Sequence, residues 1–366
     1  MMLSTPVGPL GSGLGGGVEL TVTNLAKVLV EESHQITIVT PAGNTVESIG
    51  LDLLSHRIRI VQIPGTLQPV AQGKARSDWS AASPVLANMW HYALQHHDQY
   101  DLLVNFAYDW LPFYLTPFFS KPIAHFVSMS SLSDRIDDAI ALIAQQFPGT
   151  LGAYTRSQAK TFSTLNQSMW QILGGGIDTL QYTYCNHPGH ALAWVGRISP
   201  EKGLEDAIEA AIEAYRPLKI FGKLENVPYW QGLQSKINRA RATALVEYCG
   251  FLSTQALQQA LGQCAAILMT PKWTEAFGLV ATEALACGVP VIAYARGGPA
   301  EIVRSGETGW LVTPDSVEGL VDAIAKLDQI SRRKCRLLAE SLYGLPAWGQ
   351  RFEQWFYQIL SDMIIS

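Results

Sequence analysis

The sequence predicts two doubly wound α/β domains in series, each a parallel sheet with crossover helices. Three observations lead there. Strand-like and helix-like apolar runs alternate along the chain, the pattern of parallel sheets. The length, 366 residues, suits two domains at about 100–200 residues each. The alternation lapses at Tyr182–Gly189 (YTYCNHPG), where a linker fits. The expected domains are therefore 1–182 and 190–345.

The first domain opens on Met1–Thr5, short for the central strand of such a sheet, which points to a start trimmed by a few residues. Val18, Val22, Leu25, Ala26 and Leu29 then recur at helical spacing. Strand runs follow at Gln35–Thr40, Arg57–Gln62, Leu102–Phe106 and Pro122–Ser128. Pro64–Ser83 mixes Pro, Gly, Gln and Ser and reads as a long loop, a kind that often covers or binds a ligand. In the second domain the expected strands are Ala191–Val195, Leu218–Phe221, Ala244–Tyr248, Ala265–Met269 and Pro290–Ala293. The expected helices are Gly203–Ala214, Thr254–Gln263 and Gly278–Ala286.

Composition narrows the function. Hydrophobic residues make up 48% and charged residues 16%, against about 25% charged in an average domain, so the chain can bury sizeable cores. The net charge of −5 goes against nucleic acid as the main partner, because phosphate neutralisation needs clustered cations. Cys185, Cys249, Cys264, Cys287 and Cys335 form no C-x-x-C pair and no zinc spacing. Free thiols, with no secretory leader at the start, fit a cytoplasmic protein. Trp110–Val127 (WLPFYLTPFFSKPIAHFV) is apolar, but Pro112, Pro117 and Pro122 break the helix a membrane span needs. We expect no transmembrane segment there, and read a buried passage from helix to strand; a lipid-touching surface is the alternative.

Gly11-Ser12-Gly13-Leu14-Gly15-Gly16 matches G-x-G-x-x-G. Two features go against a dinucleotide enzyme: no full strand precedes it, and the next strand ends Val39-Thr40-Pro41 without an acid for the ribose. Glycines still let backbone approach a ligand, and the helix starting near Gly17 offers N–H groups to an anion such as a diphosphate. A turn that binds nothing is the plainer reading.

Three segments of the second half read as one anion-and-sugar site. In VGRISPEKG, Arg197 offers a planar fork and Lys202 a point charge after a strand, two common ways to hold phosphate. In EAFGLVATE, Glu275 precedes a helix and Glu283 lies inside it; a carboxylate can accept two hydroxyls of a sugar or ribose diol. The N–H groups of Phe277, Gly278 and Leu279 sit at that helix start. Glu283 borders the apolar Ala284, Leu285 and Ala286, so it needs a partner. The third segment, GVPVIA followed by Gly297-Gly298-Pro299, reads as scaffold.

Together R-x-x-x-x-K-G, E-A-F-G-x-x-x-x-E and G-V-P-V-I-A-x-x-x-G-G resemble glycosyltransferase family 4, retaining nucleotide-sugar enzymes of GT-B fold. GGGID at 174–178 is similar to that family's turn before the linker, with Gly175 where Asn is usual. The resemblance implies two Rossmann-like domains facing across a cleft, with the C-terminal helix 346–366 packed back on the first. It implies that Arg197 and Lys202 neutralise the donor diphosphate, Glu283 holds ribose, and Glu275 holds the donor sugar. The amides of Phe277, Gly278 and Leu279 would meet sugar and phosphate. Phe251 and Leu252 would meet the base, usually uracil, and Gly16 and Gly17 the diphosphate. No D-x-D is present; fixed cations and helix dipoles can stabilise a leaving diphosphate, so neither a metal nor another cofactor is expected.

The acceptor is expected on the first domain. Asn105, Tyr108, Asp109 and Trp110 follow a strand, where α/β sheets bind ligands. Aromatic core with one solvated Asp is the plainer reading. Ser128 stands where many family members carry His, while His125, three residues earlier, points to the other face of its strand and reads as a core histidine. The runs STPVGPLGSGLGGGVELT, NFAYDWLPFYLTPFF and MTPKWTEAFG are similar to cyanobacterial UDP-glucose:tetrahydrobiopterin glucosyltransferases. That implies UDP-glucose as donor and a reduced pteridine as acceptor, stacked on Phe106, Tyr108 or Trp110. A lipid or polysaccharide acceptor, and an inert sugar-nucleotide-binding protein, are the alternatives.

Overall fold

Strands buried on both faces read as unbroken apolar runs, and ITIVTP is one: every residue of Ile36–Pro41 is buried. The computed structural model describes residues 1–43, 56–68, 84–239 and 245–365. The chain divides into two compact units, Met1–Gly176 with Leu345–Ser366, and Ile177–Gly344. Among the described residues the first unit holds seven strands: β1 (Met2–Leu3), β2 (Ile36–Pro41), β3 (Ile58–Ile63), β4 (Leu103–Asn105), β5 (Ile123–Val127), β6 (Leu151–Ala153) and β7 (Trp170–Ile172). They form one parallel sheet in the order β3-β2-β1-β4-β5-β6-β7. The strand at the switch of order, β1, is only two residues long, and Met2 and Leu3 pair with Ile38 and Val39 on one side and Val104 and Asn105 on the other.

The second unit repeats the plan with β8 (Leu192–Val195), β9 (Leu218–Phe221), β10 (Val246–Gly250), β11 (Ala266–Met269), β12 (Val291–Tyr294) and β13 (Gly309–Val312). They too are parallel, in the order β10-β9-β8-β11-β12-β13. Helices Leu204–Glu213 and Val317–Ala325 cover one face, and Leu192, Trp194, Leu204, Ile220, Leu268 and Leu320 meet in the core between. The chain turns at a topological switch between β8 and β11, so ligands are expected beyond the C-terminal ends of those strands.

Most expected strands and helices occur, shifted by a residue or two. Three short strands escaped the sequence, β6, β7 and β13; β6 and β13 contain a glycine, which weakens a strand pattern. The helix Val227–Arg239 escaped because Pro228 and Gly232 interrupt its pattern. Of the long loop expected at Pro64–Ser83, residues 69–83 lie outside the described residues, as does Ala244 of the strand expected there. Trp110–Val127 becomes the helix Trp110–Leu115, a 3-10 turn and β5. Among the described residues no helix is long and apolar enough to cross a membrane.

The unit boundary falls at Gly176, ahead of Tyr182–Gly189. Hydrogen bonding explains this: Ile177 donates to the Tyr343 carbonyl at 2.8 Å, and Arg336 donates to the carbonyls of Thr179 and Tyr182 at 3.0 and 2.6 Å. In the first unit the helix Leu345–Ile365 lies against the helix Gly17–Glu31. A Cβ on Gly349 would come within 1.9 Å of Val28 Cγ1. Val28 is β-branched and buried, so it cannot swing aside. Gly349→Ala is expected to destabilise the first unit by about 1–3 kcal/mol, lowering Tm by about 2–10 °C in calorimetry; an unchanged Tm would show that the two helices can part freely.

Candidate functional site

The second unit gathers charge where its strands end. Past β8, Arg197 reaches Glu225 at 2.5 Å and Glu201 at 3.1 Å. Lys202, at the close of the same loop, reaches Glu275 Oε2 at 2.5 Å. The Trp273 indole N–H donates to the same oxygen at 3.1 Å, and the Lys202 ammonium lies 5.0 Å from the centre of the Trp273 ring. One tryptophan thus touches both partners of the ion pair. Side chains here are about one-fifth to one-third exposed, so these pairs are partly desolvated but open to a ligand.

The loop carrying Glu275 is clamped by backbone. The Gly298 N–H donates to the Glu275 carbonyl at 2.7 Å. A Cβ on Gly298 would fall 2.1 Å from the Phe277 carbonyl oxygen, and one on Gly297 2.5 Å from that of Glu275. The glycine pair read as scaffold therefore sets the height of the Glu275 loop. Behind the loop, Lys272 pairs with Asp206 and Asp315, and Arg296 donates to the Pro271 carbonyl at 2.8 Å. The helix Leu279–Ala286 then starts from Gly278, whose φ is 94°, a left-handed conformation that favours glycine. Phe277 is buried with its ring edge on Tyr343.

Glu283 has the partner the sequence required. The Tyr182 hydroxyl donates to Glu283 Oε1 at 2.9 Å. Burial raises the Glu283 pKa and the Tyr182 bond counters part of that rise. Phe251, past β10, is 72% exposed, with Leu252 half-buried beside it. An exposed ring at a strand's C-terminal end offers a face for stacking.

The glycine loop of the first unit departs from the expected picture. Its amides are taken by a side chain. Gly11 and Gly13 donate to Glu19 Oε2 at 3.0 Å each, Gly15 donates to Oε1 at 2.5 Å, and the Ser12 hydroxyl to Oε1 at 3.1 Å. The loop is an anion nest, and the anion it holds is the chain's own carboxylate. Gly16, with φ 58°, and Gly17 lie just beyond, at the helix start.

The expected acceptor residues separate into two groups. Asn105 is 1% exposed, with its amide bonded to Ala107 and facing His125 Nδ1 at 3.3 Å, so it shapes the turn after β4. Phe106 and His125 are fully buried; the His125 ring stacks on Phe113 and its Nε2 lies 2.9 Å from Thr116 Oγ1. Burial pulls the His125 pKa down to about 3, so this is a neutral core histidine. Ser128 is buried past the end of β5. Tyr108, Asp109 and Trp110 are half-buried. The Tyr108 hydroxyl accepts the Leu132 N–H at 3.0 Å, and burial pushes its pKa up to about 12. Asp109 caps the helix Trp110–Leu115 through the Leu111 N–H at 2.9 Å, and burial raises its pKa. The Arg135 guanidinium lies 5.1 Å over the Trp110 ring.

Sequence reasoning missed Tyr182, Trp273, Glu225 and Glu19. Trp273 stood two residues from Glu275 and carried a signal; Tyr182 was hidden in the expected linker. Among the described residues no group of three or more His, Cys, Asp or Glu side chains could hold a metal ion.

Known proteins resemble this chain in ways that bear on the site. The glycosyl transferases group 1 family matches residues 187–339. D-inositol 3-phosphate glycosyltransferase of Rhodococcus erythropolis is 33% identical over 178 residues, covering 46% of this chain and 40% of that protein. A Corynebacterium aurimucosum protein of the same name is 25% identical over 369 residues, covering 89% of this chain and 86% of that one. The chain thus spans less than half of the first relative's length and most of the second's. Anabaena Alr3699/HepE in complex with UDP superposes with a TM-score of 0.77 at 18% identity, over 98% of this chain and 99% of that one. The same protein in complex with UDP-glucose gives 0.74 at 20% identity, over 99% of both chains. Likeness at that identity establishes the fold, two parallel-sheet α/β domains of the GT-B kind.

The Glu19 contacts are testable by hydrogen exchange. Glu19→Gln places an amide donor against N–H groups, and a hydrogen bond to a charged group contributes about 1.5–3 kcal/mol. Exchange at Gly11, Gly13 and Gly15 is expected to speed at least about tenfold, with the second unit unaffected. Unchanged exchange would mean that Glu19 does not hold the loop.

Proposed function

We propose, from the match of residues 187–339 to the glycosyl transferases group 1 family, that the chain is a retaining glycosyltransferase using a UDP-sugar. The observation that carries this reading is the meeting of Lys202, Glu275 and Trp273, with Arg197 on the same loop as Lys202 and Glu283 on the helix after Glu275. Two cations suit a diphosphate, and two carboxylates suit two sets of sugar hydroxyls. Arg197 and Lys202 neutralise the leaving diphosphate, exchanging Glu225 and Glu275 for phosphate oxygens. Glu275 then turns to donor-sugar hydroxyls, Glu283 holds ribose, and Phe251 and Leu252 meet uracil. Phe277, Gly278 and Leu279 line the sugar and distal phosphate.

The bond from the sugar's C1 to the phosphate oxygen breaks as the acceptor oxygen bonds to C1 from the same face. The acceptor's proton passes to the departing phosphate oxygen, and the product is an α-glycoside. Fixed cations supply the charge stabilisation, so no essential metal or other cofactor takes part. The donor is UDP-glucose and the acceptor a reduced pteridine. Trp110 and Tyr108 offer aromatic surface to the pterin, and Asp109 pairs with its amino and ring N–H groups; Phe106 is too deeply buried to stack. A lipid acceptor is the second reading, favoured by Tyr114 and Phe118, which are 58% and 63% exposed; binding to vesicles would support it.

UDP release from UDP-glucose, with EDTA and reductant present, is expected to depend on tetrahydrobiopterin. Lys202→Ala is expected to lower kcat/KM by about 10²–10³. Asp109→Asn keeps the helix cap and removes the charge, so it should raise the acceptor KM about tenfold and leave UDP affinity alone. Pterin-independent release would overturn the acceptor, and loss of UDP affinity in Asp109→Asn would overturn its role.

A further inference from the structure

The least explained contact in the second unit is the phenol on Glu283. Tyr182 is 5% exposed, and its hydroxyl meets Glu283 Oε1 at 2.9 Å. Its backbone is bound to the helix that carries Glu283. Arg336 Nη1 donates both to the Tyr182 carbonyl and to the Ala286 carbonyl, at 2.6 Å each. The Thr183 N–H donates to Gln258 at 3.0 Å, and the Cys185 N–H donates to the Cys287 carbonyl at 3.0 Å. Tied on both sides, the ring has no freedom to follow a wandering carboxylate; it fixes the carboxylate instead.

We infer that Tyr182 is a positioning residue for nucleotide recognition, holding one oxygen of Glu283 so that the other is presented to the ribose diol. This rests on the sugar-nucleotide reading of the same site. A glutamate side chain has three torsions, and a single fixed acceptor oxygen removes most of their freedom before the nucleotide arrives. Among the described residues no other side chain is seen donating to Glu283.

The same contact has a pH signature. Burial favours the neutral acid and raises the Glu283 pKa, while Tyr182 favours the carboxylate. Around the pair stand Cys287 just past the end of the same helix, Asp178 near Tyr182, and Arg332 and Arg336 on the helix Arg332–Leu338. Glu301 and Tyr343 lie on the other ionisable turns packed there. Only the carboxylate accepts from two hydroxyls at once, so nucleotide affinity is present above the Glu283 pKa and lost as pH falls through it. Removing the phenol raises that pKa further and moves the loss to higher pH.

The test is calorimetric binding of UDP and 2′-deoxy-UDP to the full chain across acidic and neutral pH, for the native protein and Tyr182→Phe. The native protein is expected to prefer UDP. In Tyr182→Phe that preference should shrink about three- to tenfold, the acid loss of UDP binding should move to higher pH, and UDP binding should weaken more than 2′-deoxy-UDP binding. In a Glu283→Gln background the Tyr182 change should add nothing. Equal weakening of both nucleotides, or an unmoved pH profile, would overturn the inference while leaving the donor-site reading in place. A native protein that binds no UDP would overturn both.

Discussion

Backbone pressed on backbone sets the site. Gly297 and Gly298 lie so close to Glu275 and Phe277 that no side chain fits between. The position of Glu275 follows from that contact, and the position of Lys202 follows from Glu275. The turn after β12 thereby fixes the loop after β11, and the loop after β8 closes on it through the Lys202–Glu275 pair. Rigid strands alone would leave these three loops independent. A site that must meet a ligand with accuracy near half an ångström needs such support.

A second regularity occurs in both units: the cations and glycine-loop amides proposed or expected to meet an anion already hold a carboxylate of the chain. Arg197 holds Glu225, Lys202 holds Glu275, and the glycine-loop amides hold Glu19. Unpaired cations clustered in a partly buried place repel one another, so internal carboxylates keep the site ordered without a ligand. The arrangement has a consequence for affinity. A phosphate bound there as proposed would exchange with a carboxylate already in place, so the gain would be the difference between two charge-assisted contacts. The exposure of about one-third at Arg197 and Glu225 makes that exchange feasible. Glu19 is different: it is 8% exposed and bound by three amides, so it is a fixed part of the loop.

The alternation of apolar runs was enough to read the fold class, because parallel strands buried on both faces leave a plain mark in sequence. The short strands β6 and β7 were not read, and their place in the sheet is decided by the neighbours they pair with. Arg197, Lys202 and Glu275, proposed for the site, drew attention because they stand in loops after strands or before a helix, and Glu283 because it lies inside a helix beside apolar neighbours. Their partners did not. Trp273 and Tyr182 act through contacts 71 and 101 residues away in sequence, with Lys202 and Glu283 respectively, and no local pattern encodes such a distance. Asn105 shows the converse. It stands where an acceptor residue was expected, yet its amide is used by Ala107 two residues on, a local turn that outweighs exposure.

We propose that the charge cluster of the second unit is a diphosphate site whose cations are held in waiting by carboxylates. A crystal structure of the full chain with UDP tests it most directly. Diphosphate oxygens are expected about 2.7–3.2 Å from Lys202 Nζ and the Arg197 guanidinium, with Lys202 parted from Glu275 and a ribose hydroxyl on Glu283. UDP bound elsewhere, with the Lys202–Glu275 and Arg197–Glu225 contacts still closed, would contradict it.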